Sequence, residues 1–230
     1  MNTPAQHILR SIGIIMDGNR RWAKGRGLPA AYGHKSGYET LKEITVTARD
    51  AGVQFVTAYA FSTENWMRSK MEVALLIKLL RTVLATELPD LKQEKIAVRF
   101  IGQLERFPKS IQEDMARFEK ETKDGARITL VIALSYGGRA EIFDAVRQAL
   151  RAGIAPKDED ALAKFLWTAG VPDPDLIIRT GGEERLSNFL LWQAAYSELF
   201  FTKTLWPDFS KREFRAMLRA YAGRERRRGA

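Results

Sequence analysis

The sequence predicts an α/β fold in which one domain holds a mostly parallel central sheet flanked by helices. Short apolar runs rich in β-branched and aromatic residues alternate along the chain with amphipathic segments of helical period. The strand-like runs carry almost no charge, as expected for strands that are buried on both faces. No Ser/Gly linker, low-complexity run or internal repeat divides the chain, so we treat residues 1–230 as a single domain.

Each apolar run predicts a strand, and each amphipathic run predicts a helix. The predicted strands span residues 12–15, 53–61, 97–101, 128–134, 176–178 and 199–201. The predicted helices span residues 33–52, 70–91, 110–123, 140–152, 159–169, 187–196 and 210–224. Gly52 suits the end of the first helix, and Asp158 suits the N-cap of the helix over 159–169. The side chains expected to face inward from residues 140–152 are Ile142, Phe143, Val146 and Leu150.

Composition excludes several classes of protein. The chain has no Cys, which excludes disulfides, thiolate metal sites and a cysteine nucleophile. With 37 Lys and Arg against 28 Asp and Glu, the net charge of +9 favours an anionic partner: nucleic acid, anionic lipid or a phosphorylated substrate. No zinc-finger spacing or RNA-binding motif accompanies that charge, so we expect no nucleic acid partner. The N-terminus lacks signal-peptide features and no apolar run reaches about 18 residues, which predicts a cytoplasmic protein.

Polar clusters follow four of the predicted strands. They are Asp17-Gly18-Asn19, Ser62-Thr63-Glu64-Asn65, Tyr136-Gly137-Gly138-Arg139 and Arg179-Thr180-Gly181-Gly182. Ligands of open parallel sheets bind beyond the carboxyl ends of the strands, so we expect these clusters to meet at one edge. Their carboxylates, amides, glycines and guanidiniums suit an anion together with a metal ion. The chain lacks the glycine-rich phosphate motifs of ordinary nucleotide-binding enzymes, and its two His residues leave little for histidine chemistry.

The motifs at these strand ends resemble the signature of the cis-prenyltransferases, the family that includes undecaprenyl diphosphate synthase. The resemblance is specific because the motifs are long, ordered and spread from about residue 7 to residue 229. The matching stretches are Asp17-Gly18-Asn19-x-Arg21-Trp22-Ala23, Gly33-His34, Phe61-Ser62-Thr63-Glu64-Asn65-Trp66-x-Arg68, Tyr136-Gly137-Gly138-Arg139, Asp175 to Glu183, Arg185 to Gln193, Glu198, Trp206-Pro207 and Arg227-Arg228-Gly229.

The resemblance implies an enzyme that adds isopentenyl diphosphate to an allylic diphosphate, usually farnesyl diphosphate, with a new cis double bond at each step. It implies Mg²⁺ as the cofactor, an apolar product tunnel and a homodimer. Residues 1–6 are expected to be flexible, and the basic tail over residues 223–230 to reach the dimer partner. A lipid product also implies a peripheral contact with a membrane at release. Long-chain products such as undecaprenyl diphosphate serve as lipid carriers in cell-wall synthesis.

The family pattern also assigns roles to individual residues. Asp17 is implied as the essential carboxylate and a metal ligand, with Glu198 as the second metal-associated carboxylate. Asn65 matches the catalytic position to which the family pattern assigns the proton-accepting step; because an amide is a poor base, we interpret its role as positioning the proton acceptor. The residues implied to bind substrate are Gly18, Asn19, Arg20, Arg21, Trp22, His34, Ser62, Thr63, Glu64, Trp66, Arg68, Arg179, Arg185, Leu186 and Ser187.

Two positions depart from the family pattern. Ala30 follows Pro29 where an Arg is common, so one phosphate-side cation is either missing or supplied from elsewhere, by Arg20 or Arg26. Leu134 stands where smaller residues are common, and it would shorten a product tunnel that it faced. A synthase of shorter cis-prenyl products is therefore the first alternative. A non-catalytic partner subunit of the same fold is the second, and a nucleic-acid-binding protein, supported by charge alone, is the third.

Overall fold

The computed structural model describes residues 9–224 and confirms the α/β class. Its centre is a sheet of six strands in the order β3-β4-β2-β1-β5-β6, and every neighbouring pair is parallel. The strands are β1 Ser11–Ile15, β2 Phe55–Ser62, β3 Ile96–Ile101, β4 Ile128–Tyr136, β5 Leu176–Arg179 and β6 Glu198–Phe201. Each one overlaps a predicted strand.

Helices connect the strands and cover the sheet. The α-helices are α1 Asn19–Lys24, α2 Ala30–Asp50, α3 Lys70–Thr86, α4 Leu88–Gln93, α5 Lys109–Thr122, α6 Gly138–Arg151, α7 Glu159–Ala163 and α8 Lys211–Ala222. Short 3₁₀ helices span Thr63–Met67, Leu104–Arg106 and Trp206–Asp208. Within residues 9–224, none of the helices is both long enough and apolar enough to cross a membrane.

Strands β2, β3 and β4 lie on one side of the central strand β1, and β5 and β6 lie on its other side. The chain moves from β1 to β2 in one direction, and it later returns from β4 to β5 on the other side of β1. Right-handed crossovers in opposite directions place their connecting segments on opposite faces and leave a crevice at the carboxyl ends of the strands. All four predicted polar clusters lie at that one edge, because every strand of the sheet runs the same way.

The predicted long helix over residues 70–91 is wrong in one respect, since it is two helices. The helix α3 ends at Thr86, and α4 begins at Leu88 with Pro89 in its first turn. Proline has no backbone N–H, and in a continuous helix its ring would clash with the carbonyl of Ala85 four residues earlier. Glu87 stands between the two helices, as the C-cap of α3 and the N-cap of α4.

The predicted inward face of α6 is also wrong. Phe143 is 71% exposed and Leu150 is 72% exposed, while Val146 is 42% exposed. The side that packs against the protein carries Glu141, Ala145 and Ala149 instead, all buried. Small residues allow α6 to lie close to the body of the chain, so its large apolar side chains form an unpartnered outer stripe.

The predicted helix over residues 187–196 does not form, and α7 is shorter than the predicted 159–169, although Asp158 caps it as expected. Ser187, Asn188 and Leu190 have φ angles of +49°, +66° and +44°, in the left-handed region that a helix excludes. Long-range contacts hold this conformation: the Asn188 carbonyl accepts a 2.7 Å hydrogen bond from the Gly138 N–H.

The helices α1 and α2 cross at very short range because α2 carries glycine where they meet. A Cβ atom at Gly33 would lie 2.1 Å from the carbonyl oxygen of Asn19, and one at Gly37 would lie 2.2 Å from the Asn19 Oδ1. Trp206, which is fully buried, closes the same crossing by donating its indole N–H to the Gly37 carbonyl at 2.7 Å.

We expect Gly33→Ala to lower the free energy of unfolding by about 1–3 kcal/mol, because the added methyl group must push α1 away from α2. In a helix without such a close contact, the same change raises the free energy of unfolding by up to about 1 kcal/mol. A decrease would therefore itself indicate the close approach of α1 and α2. Urea unfolding at fixed protein concentration measures the effect. Gly25→Ala is the matched control, since its Cβ would meet nothing closer than 3.4 Å; equal effects of the two variants would contradict the close-approach argument.

Candidate active site

Asp17 lies two residues beyond β1, at the centre of the crevice. Its carboxylate accepts a hydrogen bond from Arg179 Nη2 at 3.0 Å through Oδ2, and Oδ1 lies 3.1 Å from Arg21 Nη2. Its backbone carbonyl is held by the Thr180 hydroxyl at 2.8 Å and the Trp206 N–H at 3.0 Å. The side chain keeps 31% of its surface exposed, so the carboxylate is fixed in position yet accessible from the crevice.

Arg179, the last residue of β5, is almost fully buried and joins three parts of the site. Its Nη2 bonds to Asp17, and its Nη1 donates to Ser187 Oγ at 2.7 Å and to the carbonyl of Arg185. A buried guanidinium is costly unless its charge and donors are satisfied; Asp17 and the 185–187 segment satisfy Nη1 and Nη2, while Nε has no hydrogen-bond partner among the described residues. Arg179 therefore fixes the segment that carries Ser187 relative to the end of β1.

Two glycines let backbone segments pass close to these charged groups. Gly18 has a φ of +115° at the start of α1, and a Cβ there would lie 2.9 Å from Leu205. Gly181 has a φ of +85°, and its carbonyl accepts a 2.7 Å hydrogen bond from Arg21 Nη1. The glycines of the two sequence motifs are thus required by the backbone geometry of the site.

A polar cavity of about 700 Å³ opens at this edge of the sheet. Five cationic side chains line it against one carboxylate, that of Asp17, so it favours a strongly anionic ligand. Bidentate guanidinium contacts are well suited to phosphate oxygens. The predicted site residues that line the cavity are Asp17, Gly18, Asn19, Arg20, Arg21, His34, Ser62, Asn65, Arg68, Arg179 and Ser187.

The segment after β2 enters the cavity through a reciprocal N-terminal cap. The Asn65 Oδ1 accepts a 3.1 Å hydrogen bond from the Ser62 N–H, and the Ser62 side chain in turn caps the backbone at Asn65. Arg68 follows on the cavity wall, paired with Glu72 at 2.8 Å. The cap orients the Asn65 amide at the cavity before any ligand arrives.

His34 lies where the polar cavity meets the apolar interior. Burial, reinforced by the nearby Arg68 guanidinium, lowers the pKa of His34 below its ordinary value. The imidazole is therefore neutral at pH 7, and its charge is absent from the set of cations around the cavity. Its Nε2 is buried without a hydrogen-bond partner among the described residues.

Two predicted tryptophans do not line the cavity. The Trp22 indole N–H donates to Asp208 at 2.7 Å, and the Arg26 guanidinium lies over its ring at 4.2 Å. Trp66 packs against the core aromatics Phe61 and Phe107 and donates to Ser135. Both rings support the walls behind the cavity, since partners within the fold already occupy their polar atoms.

Four other predicted substrate-binding residues also lie outside the cavity wall. The Thr63 hydroxyl donates to Glu64, and the Glu64 carboxylate accepts a 3.0 Å bond from Asn188. Burial tends to raise the pKa of Glu64, but this hydrogen bond and several others outweigh it, so the pKa is lowered and the group stays ionised. Arg185 is exposed and paired with Glu183, and Leu186 packs on the core.

Glu198 is not brought to Asp17 within one chain. It begins β6 opposite Leu176, the first residue of β5, whereas Asp17 lies at the end where Arg179 finishes that strand. The two carboxylates thus lie at opposite ends of the sheet, and Glu198 pairs with Arg224. Among residues 9–224 no cluster of three or more metal-ligating side chains exists, and Asp17 supplies the one carboxylate that those residues place on the wall of the polar cavity.

The structure adds cavity residues that sequence reasoning missed. Lys24 lines the polar cavity from the last turn of α1, while Arg26, one of the two candidate replacements for the Arg missing at Ala30, pairs with Asp208 outside it. The short helix α1 explains the miss, because it was not predicted. Tyr59 also lines the cavity, stacked on Phe189 with ring centroids 4.7 Å apart.

An apolar cavity of about 150 Å³ lies directly behind the polar one. The helix α3 supplies much of its wall, and only Leu84 of that helix is fully buried. Leu134, from β4, lines this cavity, which is the condition under which we expect it to shorten a product tunnel. The two cavities share the lining residues Met16, Asn19, His34, Ala60 and Leu76. The crevice therefore passes from a cationic chamber into a hydrocarbon-lined one.

Comparison with known proteins agrees with this arrangement. A family model described as putative undecaprenyl diphosphate synthase matches residues 15–229. An isoprenyl transferase from Thermotoga maritima is 47% identical over 226 residues, which cover 96% of this chain and 97% of the relative. Another from Geobacillus kaustophilus is 47% identical over 224 residues, covering 95% and 87% of the two chains.

Two solved structures share the fold. Lavandulyl diphosphate synthase from Lavandula x intermedia, solved with dimethylallyl diphosphate, has a TM-score of 0.90 at 34% identity, covering 96% of this chain and 98% of the other. A probable undecaprenyl diphosphate synthase from Campylobacter jejuni has a TM-score of 0.83 at 31% identity over the whole of both chains. The sequence match, the shared fold and the paired cavities lead to one conclusion: this chain belongs to the undecaprenyl diphosphate synthase family and is a prenyltransferase.

Proposed function

We propose that this prenyltransferase elongates cis-prenyl chains, condensing isopentenyl diphosphate onto an allylic diphosphate such as farnesyl diphosphate. The observation that carries the proposal is the shared border of the two cavities. An allylic diphosphate has an anionic head and a hydrocarbon tail, and the site offers a cationic chamber that opens into an apolar one. The product is then a polyprenyl diphosphate, for which undecaprenyl diphosphate is the example that the family name suggests.

The cations of the polar cavity act on the departing diphosphate. Breaking the allylic C–O bond builds negative charge on the diphosphate, and fixed guanidiniums stabilise that charge more than they stabilise the bound substrate. Arg20, Arg21 and Lys24 lie on α1, on one side of the crevice. Arg179 and Ser187 lie on the other side, where they would hold the second diphosphate, that of isopentenyl diphosphate.

Mg²⁺ fits the residues that are present. Protein Mg²⁺ sites commonly use one or two carboxylates together with substrate phosphate oxygens and water. Asp17 is accessible and lies among cations that would hold those phosphates, so a metal bound between Asp17 and diphosphate is consistent with the site. Bound there, the metal supplies Lewis-acid stabilisation of the leaving diphosphate. Glu198 would contribute only if a second chain brought it close.

Asn65 positions the group that accepts the proton released when the new double bond forms. An amide is a poor base, but its carbonyl oxygen is held by the Ser62 N–H, so its NH₂ group is left to orient a ligand oxygen in the cavity. A diphosphate oxygen is the natural acceptor for the proton lost when the new double bond forms. Asn65 therefore acts through orientation, as its fixed cap allows.

The apolar cavity would receive the growing hydrocarbon chain. Each five-carbon unit that enters it buries apolar surface worth about 4 kcal/mol, at about 0.8 kcal/mol per carbon. The cavity's present volume matches one small hydrocarbon, so a long product requires its walls to separate. Leu134 reduces the space further, which keeps a synthase of shorter products as the second candidate.

A homodimer and a membrane contact complete the proposal. The exposed stripe of Phe143, Val146 and Leu150 on α6 is an apolar surface of the kind that a second copy would cover. The Arg227-Arg228-Gly229 stretch, expected to reach the partner, lies outside the described residues. Met67 and Met71, on either side of the cavity residue Arg68 in sequence, are 89% and 83% exposed, which suits peripheral contact with lipid during product release.

We expect Asp17→Ala to reduce turnover by about 10²–10⁴-fold, because it removes the carboxylate that would bind the metal and fix Arg179. Incorporation of radiolabelled isopentenyl diphosphate into farnesyl diphosphate, with Mg²⁺ present, measures it. Asp124→Ala removes an exposed carboxylate remote from the site and serves as the control. Near-normal turnover in the Asp17 variant would remove the central assignment, and no turnover in the unmodified protein would favour the non-catalytic alternative.

We expect Leu134→Ala to lengthen the products by at least one five-carbon unit, since it enlarges the apolar cavity. Thin-layer separation of the labelled products reads the lengths. Leu166→Ala is the matched control: Leu166 is 5% exposed against 4% for Leu134, yet it does not line the cavity. Both variants should lose stability, but a change of length in both, or in neither, would contradict the role of Leu134.

We expect Phe143→Asp to convert a dimer of twice 26.1 kDa into a monomer of 26.1 kDa, because a charge would be placed on the apolar stripe. Sedimentation velocity gives the mass directly. Met71→Asp, at another exposed apolar side chain, should leave the dimer intact. A monomeric unmodified protein, or a dimeric Phe143 variant, would exclude this face of α6 as the interface.

A further inference from the structure

The apolar cavity contains a polar group that diphosphate binding does not explain. Asn19 and His34 lie at its border with the polar cavity, where polar atoms are expected. Tyr38 and Lys42 line only the apolar cavity, one and two turns further along α2. A cationic side chain on the wall of an apolar cavity costs free energy unless its charge is paired. The partners of Lys42 therefore indicate what it does in the structure.

Those partners tie α2 to the break between α3 and α4. Lys42 Nζ lies 2.7 Å from Glu87 Oε2 and 3.1 Å from Asp90 Oδ2. The Lys42 and Glu87 side chains are 23% and 18% exposed, whereas Asp90 reaches solvent at 61%. The ion pairs thus run from the cavity wall to the surface and close the gap between the helices. We call Tyr38, Lys42, Glu87 and Asp90 the clasp.

Tyr38 forms the inner end of the clasp. The Lys42 ammonium lies 5.8 Å from the centroid of the Tyr38 ring, close enough for a cation–π contact. Burial, followed by the nearby Glu87 carboxylate, raises the pKa of Tyr38 well above its ordinary value. Its hydroxyl therefore stays neutral, and its ring presents a bulky, fixed surface to the cavity.

The clasp joins the C-terminal end of the helix α3 to α2. The α3 residues that line the cavity are only partly buried, although Leu76, Ile77 and Leu80 also pack against the core. A chain longer than the present cavity must push α3 outward. The clasp resists that movement at the C-terminal end of α3, where Glu87 ends the helix.

We propose that the clasp limits product length: the Tyr38 ring and the Lys42 stem block the cavity wall at α2, and the Lys42–Glu87 and Lys42–Asp90 pairs hold the end of α3 against them. The inference rests on the proposed chain-elongating function, since it names the side chains that stop elongation. A growing chain that reaches this wall must either separate the ion pairs or leave the site.

The test compares product lengths for variants of two tyrosines on α2. Tyr38→Ala should shift the labelled products towards longer chains by two or more five-carbon units, while Tyr38→Phe, which keeps the ring, should leave them unchanged. Tyr32→Ala is the matched control, because Tyr32 lies on the same helix but is 57% exposed and outside both cavities. Unchanged lengths in Tyr38→Ala would overturn the blocking role of the ring.

A second pair of variants tests the ion pairs, and its result does not depend on whether the Tyr38→Ala variant folds. Lys42→Met keeps an apolar stem without the charge, and it should also lengthen the products. Lys211→Met breaks an exposed pair with Glu43, also on α2, and should not. If the unmodified enzyme fails even to add one isopentenyl unit to farnesyl diphosphate, the proposed function is wrong. If that step proceeds and neither Tyr38→Ala nor Lys42→Met lengthens the products, the clasp proposal alone is wrong.

Discussion

The ion pair between the buried Arg179 and Asp17 is the constraint on which the site depends. It joins the ends of two neighbouring strands and, through Ser187, fixes a segment that has no regular secondary structure. Removing Asp17 would leave the buried Arg179 guanidinium without its carboxylate partner, which costs several kcal/mol, about 3–5 in typical cases. The pair also presents a carboxylate and a guanidinium side by side, so the same contact that stabilises the crevice prepares it for a metal and a phosphate.

Much of this architecture could be predicted from sequence, because its signals are local. The apolar runs that predict strands, the glycines after them and the charged residues at their ends all report on nearby backbone, and all six strands and the common edge are confirmed. The polar side chains that line the cavity are mostly those that the motifs named, with Lys24 and Tyr59 as additions. Parallel pairing of the strands then places these distant strand ends at one edge of the sheet, so no further sequence signal is needed to bring the site residues together.

The sequence-based predictions were wrong where contacts between distant parts of the chain decide the placement of a side chain or the conformation of a segment. Trp22 and Trp66 belong to the same motifs as cavity residues, yet hydrogen bonds to Asp208 and Ser135 turn their rings into the walls. Periodicity identified the apolar stripe of α6, but it cannot distinguish a face that packs on the core from one that remains for a partner. The segment after Arg185 has helical propensity, and only its long-range contacts to Gly138 and Arg179 hold it in another conformation.

The left-handed backbone at Ser187, Asn188 and Leu190 has a consequence for how this enzyme can change. Each such residue costs of order 1 kcal/mol in strain that glycine would relieve. Glycine would relieve this strain, but it would also remove the Ser187 hydroxyl that accepts from Arg179, the Asn188 amide that donates to Glu64 and the Leu190 side chain that is buried in the core. These contacts are worth more than the strain, because deleting a large core side chain alone costs about 2–5 kcal/mol. The side chains therefore keep the strained backbone in place, and glycine at any of the three positions would loosen the segment that carries Ser187.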